Sequence, residues 1–145
     1  MEICCDIQKM VRHPDLRARY EAHRPPGDVV EALRGIDEET TVVIVFGFWC
    51  PDSLRIVPEV LKAITEADNP NLQVVAATVP LEETHDLPIA CGGISVRKFP
   101  TVSFVPGRYQ TTDAIPAGTE ERARFVEESL TAEGLRTQGG AGADG

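Results

Sequence analysis

The chain reads as an α/β domain, a central mixed β-sheet flanked by helices and preceded by a helical N-terminal extension. Three observations carry that reading. "TVVIVFGF", Thr41 to Phe48, is β-branched and aromatic with no polar alternation, the pattern of a central strand covered on both faces. "LQVVAATV" repeats the pattern from Leu72. Between them, Pro51 to Ala67 carries Leu54, Val57, Leu61 and Ile64 at helical spacing, so the two strands pair in parallel through a crossover helix.

The elements follow in order. Ile7, Met10, Val11 and Leu16 are loosely helical and Pro14 interrupts them, which predicts one broken helix or two short ones within residues 1–27. "RPPGD" is a linker, and Asp28 is the expected N-cap of a helix with Val29, Val30, Leu33 and Ile36 on one face. The first long strand and the long helix come next, with Pro58 expected to bend that helix by removing a backbone donor. "DNPN" ends it, and the second strand follows. A short helix is expected around Leu87 to Cys91, broken by Gly92-Gly93. "TVSFVPG" and "QTTDAIPAG" read as two strands joined by a tight turn at Pro106-Gly107. An amphipathic helix from Glu120 to Ala132 closes the domain, using Ala123, Phe125, Val126 and Leu130. One sheet with helices on both faces results. The expected organisation is an extension over 1–27, a domain over 28–134 and a disordered Gly-rich tail over 135–145.

Composition narrows the function classes. A chain of 145 residues is long enough for one domain that buries roughly 70% of its unfolded surface. The net charge of -9 opposes a nucleic-acid or anionic-membrane surface, since both need clustered Lys and Arg. "MEICCDIQKMVRH" lacks the basic start and apolar stretch of a secretory signal, so a cytoplasmic, reducing setting is expected. There, Cys4, Cys5, Cys50 and Cys91 read as free or redox-active thiols rather than a disulfide framework. Adjacent Cys4 and Cys5 have the wrong spacing for zinc, and His13, His23 and His85 stand singly in polar surroundings as surface residues. No metal and no cofactor are expected.

Three positions then carry a resemblance. Trp49-Cys50 ends the central strand, Pro58 follows eight residues after Cys50, and "FPT", Phe99-Pro100-Thr101, opens the later strand pair. Together with the element order they resemble the thioredoxin superfamily over roughly Asp28 to Ala132. The resemblance implies a thioredoxin-like three-layer sandwich with Cys50 as the nucleophile. It implies a cis-proline at Pro100 facing that cysteine, and a client groove formed by Trp49, Pro51, Phe99, Pro100 and Thr101.

The chemistry of Cys50 has its own argument. At the first turn of a helix, unpaired N–H groups and the macrodipole favour an anion, and a thiol so placed is activated as a nucleophile. Ser53 lies one turn along the same face, where its hydroxyl is expected to hydrogen-bond to the thiolate. Asp52 repels a thiolate while favouring the helix N-terminus, and Arg55 and Arg97 are read as solvated charges that can offset it.

Two departures from the resemblance agree with each other. Dithiol members carry a second cysteine where this chain has Ser53, and a buried Asp six residues before the first cysteine where it has Ile44. A site with no second thiol has no use for the base that deprotonates it. Cys91, Cys4 and Cys5 are the candidates for a substitute resolving thiol, provided that a Cα comes within about 7 Å of that of Cys50. The expected function is monothiol thiol–disulfide exchange with protein clients or small-molecule thiols, by a monomer that leaves resolution to an external thiol. The alternatives are a non-catalytic binding module and a dithiol reductase whose second cysteine has been replaced by Ser53. A Cys-x-x-Ser site sharing an iron–sulfur cluster with glutathione fits less well, because Cys-Pro-Asp-Ser lacks the Cys-Gly-Phe-Ser sequence of that class.

Overall fold

The chain opens on a strand and three helices, as a computed structural model of residues 1–135 describes it. The elements are β1 (Glu2–Cys4), α1 (Ile7–Met10), α2 (Pro14–Ala22), α3 (Gly27–Arg34), β2 (Thr40–Phe46), α4 (Pro51–Ala67), β3 (Leu72–Thr78), β4 (Ile89–Cys91), β5 (Ile94–Val96), β6 (Thr101–Pro106) and β7 (Arg124–Val126). Short 3-10 turns lie at Leu81–Glu83, Thr112–Ala114 and Thr119–Arg122.

The five-stranded sheet has the order β1-β3-β2-β6-β7. At its centre β2 runs parallel to β3, with Val43 opposite Val75, and antiparallel to β6, with Val43 opposite Ser103. All seven residues of β2 are buried, which explains why the run has no polar alternation. Val42, Ile44 and Phe46 face a cluster built with α1 to α4, whereas Val43 and Val45 face a second cluster containing Cys91, Ile94, Val96 and Ile115.

The sheet is therefore covered on both faces, but among the described residues α-helices cover only one. The expectation of helices on both faces is corrected: β4, β5 and the 3-10 turns form the other layer. The helix expected at Leu87 to Cys91 is instead the first half of the β4–β5 hairpin, in which Cys91 opposes Ile94 across a two-residue Gly92-Gly93 loop. Gly92 has φ +57, and a Cβ there would collide with the Thr112 carbonyl, so the glycine both turns the chain and lets the hairpin seat under that turn.

Two further corrections concern the C-terminal third. "QTTDAIPAG" forms no strand; its 3-10 turn, closed by Ile115 N–H to Thr112 O at 3.1 Å, drives Ile115 into the second cluster. The helix expected from Glu120 to Ala132 is replaced by a 3-10 turn and β7. The free edge of β6 accounts for this, because Val102 to Phe104 pair with Arg124 to Val126 and satisfy backbone groups that a helix there would leave open. At the other edge β1 pairs antiparallel with β3, a strand that the helical reading of the extension missed.

The extension breaks at Pro14 into two helices, as expected. Asp6 caps α1 by accepting from Gln8 N–H at 2.9 Å. Met10, Val11 and Leu16 join the main core, and α2 is tied to α4 by Tyr20 OH to Thr65 Oγ1 at 3.2 Å and Lys62 Nζ to Tyr20 O at 3.1 Å. Pro26, not Asp28, occupies the N-cap of α3; Asp28 lies inside the first turn, where its carboxylate still meets the positive helix end. β2 stops at Phe46, two residues early. Leu135, placed in the tail by the sequence, packs in the core at 7% exposure; residues 136–145 of that expected tail lie outside the described residues.

Candidate functional site

Cys50 is the N-cap of α4, between Trp49 and Pro51 at the first helical position. Its N–H bonds to Gly47 O at 3.1 Å, closing the turn that leads out of β2, and its carbonyl accepts from Leu54 N–H at 3.2 Å. The side chain is 9% exposed, and the thiol donates to Phe99 O at 3.6 Å. The residues expected to face each other across the chain, Cys50 and the Phe99-Pro100 segment, are therefore brought together. The Phe99-Pro100 peptide is cis, as the resemblance implies; so is Leu87-Pro88, which nothing in the sequence announced.

The aromatic side of the site is ordered by one hydrogen bond. Trp49 Nε1 donates to Val79 O at 2.7 Å, and its ring meets Phe99 edge-on at 5.2 Å. Trp49 remains 37% exposed, so the indole is anchored at its nitrogen while a face stays open beside Cys50. Pro51 is exposed, whereas Pro100 and Thr101 are buried, with Thr101 Oγ1 donating to Lys98 O at 2.7 Å. The open part of the expected groove thus reduces to Trp49, Pro51 and Phe99, with Pro100 and Thr101 behind it.

Ser53 departs from expectation. It is completely buried, and its Oγ accepts from Gly47 N–H at 3.4 Å; no Ser53–Cys50 hydrogen bond forms among the described residues. The hydroxyl fastens the loop ahead of Cys50 rather than the sulfur itself. Gly47 is the residue sequence reasoning missed here. An added Cβ would stand 2.8 Å from Trp49 Cζ2 and closer still to Nε1 and Cε2, so only glycine lets the indole lie against this loop.

The other thiols are placed elsewhere. All four cysteines are free. Cys91 is 1% exposed in the second cluster, 3.9 Å from Met1 Sδ, and burial pushes its thiol up, with Asp113 adding in the same direction. Cys5 donates to Gln110 O at 3.1 Å, and burial followed by the neighbouring Cys4 raises it too. Cys4 donates to Asp6 O at 3.5 Å. None of the three contacts Cys50 among the described residues.

Surface expectations divide. Arg55 does pair with Asp52, at 3.7 Å in the open, and Arg97 is exposed. Of the histidines read as solvated, His85 is exposed. His13 instead caps α2, accepting Asp15 N–H at 3.1 Å on Nδ1, and stacks on Phe48 at 4.0 Å. His23 lies 3.9 Å from Glu59. No group of three or more His, Cys, Asp or Glu able to hold a metal occurs among the described residues, and no helix there is long and apolar enough to cross a membrane.

Comparison of the chain with protein-family models, with curated proteins and with solved structures gives no match.

Proposed function

We propose that this protein is a thioredoxin-like monothiol exchanger in which Cys50 forms mixed disulfides with thiol- or disulfide-bearing clients. The observation that carries the reading is the juxtaposition of Cys50, at the N-cap of α4, with the Phe99 carbonyl at 3.6 Å. Cys50 stands at the N-terminal end of α4, the positive end of the helix dipole. The Cys50 thiolate attacks one sulfur of a client disulfide; the S–S bond breaks as the new one forms, and the departing thiolate takes a proton from solvent. An external thiol then attacks the mixed disulfide, releasing the client and restoring Cys50. Ser53 offers no sulfur for that second step, and Cys4, Cys5 and Cys91 hold other contacts.

Two observations favour a second reading, a binding module in which turnover is incidental. Cys50 is 9% exposed, and Ser53 supports the Gly47 loop instead of the sulfur. Incubating the reduced protein with a model mixed disulfide separates the two. Exchange that disappears in Cys50→Ala supports the exchanger, and equal rates in both proteins leave the binding module.

A further inference from the structure

Between α2 and the N-terminal half of α4 runs a shallow, open groove of about 760 Å³. It begins at Pro51, the residue after Cys50, and extends along α4 to Glu59. At 1.5 Å per helical residue that is about 12 Å, the span of roughly four extended peptide residues. Three guanidiniums line it, Arg19, Arg24 and Arg55, against the carboxylates of Asp15 and Glu59. In a chain of net charge -9 these three arginines meet three carboxylates once Asp52 beside Arg55 is counted, so the groove is locally near neutral, and the guanidinium left without a carboxylate among the described residues is that of Arg24. Glu59 is shared by Arg19 at 3.1 Å and His23 at 3.9 Å. Arg24 bonds only to the backbone carbonyls of Glu21 at 3.3 Å and His23 at 3.4 Å, with no carboxylate within ion-pair distance among the described residues. Among the described residues Arg55 has only the exposed Asp52 at 3.7 Å as an ion-pair partner.

We propose that this groove receives an acidic peptide segment flanking the client's reacting cysteine. The inference rests on Cys50 being the point of exchange. With the client sulfur at Cys50, a chain passing Pro51 enters the groove directly, and Asp or Glu two to four residues away reaches Arg55 and Arg24. Guanidiniums suit this role, since they bind carboxylates in bidentate fashion. The chain's net charge of -9 opposes acidic chains at long range, so selection is local to the groove and screened by salt.

The test uses two peptides of equal length as mixed disulfides, one with Asp and Glu beside its cysteine and one with Ser and Gln. The acidic peptide is expected to exchange faster at low salt. Arg24→Gln lowers that preference about two- to fivefold, the range of one exposed ion pair, and Arg24→Gln with Arg55→Gln abolishes or inverts it. A small neutral disulfide should react equally with the wild type and Arg24→Gln; for the double variant the ratio of acidic to neutral peptide is read, since Arg55 also faces Asp52 beside Cys50. In a second arm, the acidic peptide with Ser in place of its cysteine is titrated while Arg side-chain NMR signals are followed. Shifts at Arg24 and Arg55 support the groove even if no exchange occurs, a result that would overturn the Cys50 reading alone. Measurable exchange at equal rates for both peptides, or an acidic peptide that leaves Arg24 and Arg55 unmoved, overturns the proposal.

Discussion

Replacing Gly47 with alanine places a methyl group 2.8 Å from Trp49 Cζ2 and nearer still to the indole nitrogen. The backbone there is held on both sides, because Gly47 N–H bonds to Ser53 Oγ at 3.4 Å and Gly47 O accepts from Cys50 N–H at 3.1 Å. The indole must therefore yield. If it swings out, the 2.7 Å bond to Val79 O is lost, about 1 kcal/mol, together with the edge-on contact to Phe99, about 0.5–1.5 kcal/mol. If it stays, overpacking costs about 1–3 kcal/mol. Either route predicts destabilisation of about 2 kcal/mol. Trp49 is the chain's one tryptophan, so its fluorescence reports directly on the indole in the same urea titration that measures stability. The cost should largely vanish in a Trp49→Ala background, since the cycle isolates the clash. Unchanged stability and emission in Gly47→Ala, or the same cost with and without Trp49, would refute the reasoning.

Ser103 Oγ is buried in β6 without a hydrogen-bond partner among the described residues, so Ser103→Ala should stabilise the fold by about 1 kcal/mol in thermal or urea denaturation. Leu16 of α2 is fully buried in the main core; Leu16→Ala should cost about 2–5 kcal/mol, and a cost near zero would separate the N-terminal segment energetically from the sheet. Cys91 is raised by burial, so above the ordinary thiol value of 9.0 the unfolded chain loses its proton before the folded one does. Stability from this group is complete below that value and is lost as pH rises towards the folded one. The stability–pH slope on that alkaline side should be less steep in Cys91→Ala than in the wild type.

The long helix was legible because its apolar spacing and its start at Pro51 agree, and α4 runs over the same residues. The central strands were legible because β2 and β3 are buried on both faces. Segments whose fate depends on a partner were not. Ala123, Phe125, Val126 and Leu130 have helical spacing, yet β6 needs an edge partner and takes Arg124 to Val126 as a strand. Gly92-Gly93 was read as a helix breaker, although two glycines between short β-branched runs also signal a hairpin. At the site, the meeting of Cys50 with Phe99 was foreseeable only from the resemblance, because 49 residues separate them. The role of Ser53 was misread because helical spacing gives proximity along one face without saying which neighbour the buried hydroxyl meets. The groove arginines looked like ordinary surface charge, and only the packing of α2 on α4 brings Arg19 and Arg24 beside Arg55.

The most direct measurement is the lifetime of the Cys50 adduct. Reduced protein is mixed with an excess of a peptide disulfide, freed of the excess, and followed by intact mass. The account predicts a one-to-one adduct on Cys50 that persists until an external thiol is added, that is absent in Cys50→Ala, and that collapses unaided in Ser53→Cys. An adduct that forms on another cysteine, or one that wild-type protein releases without added thiol, would contradict it.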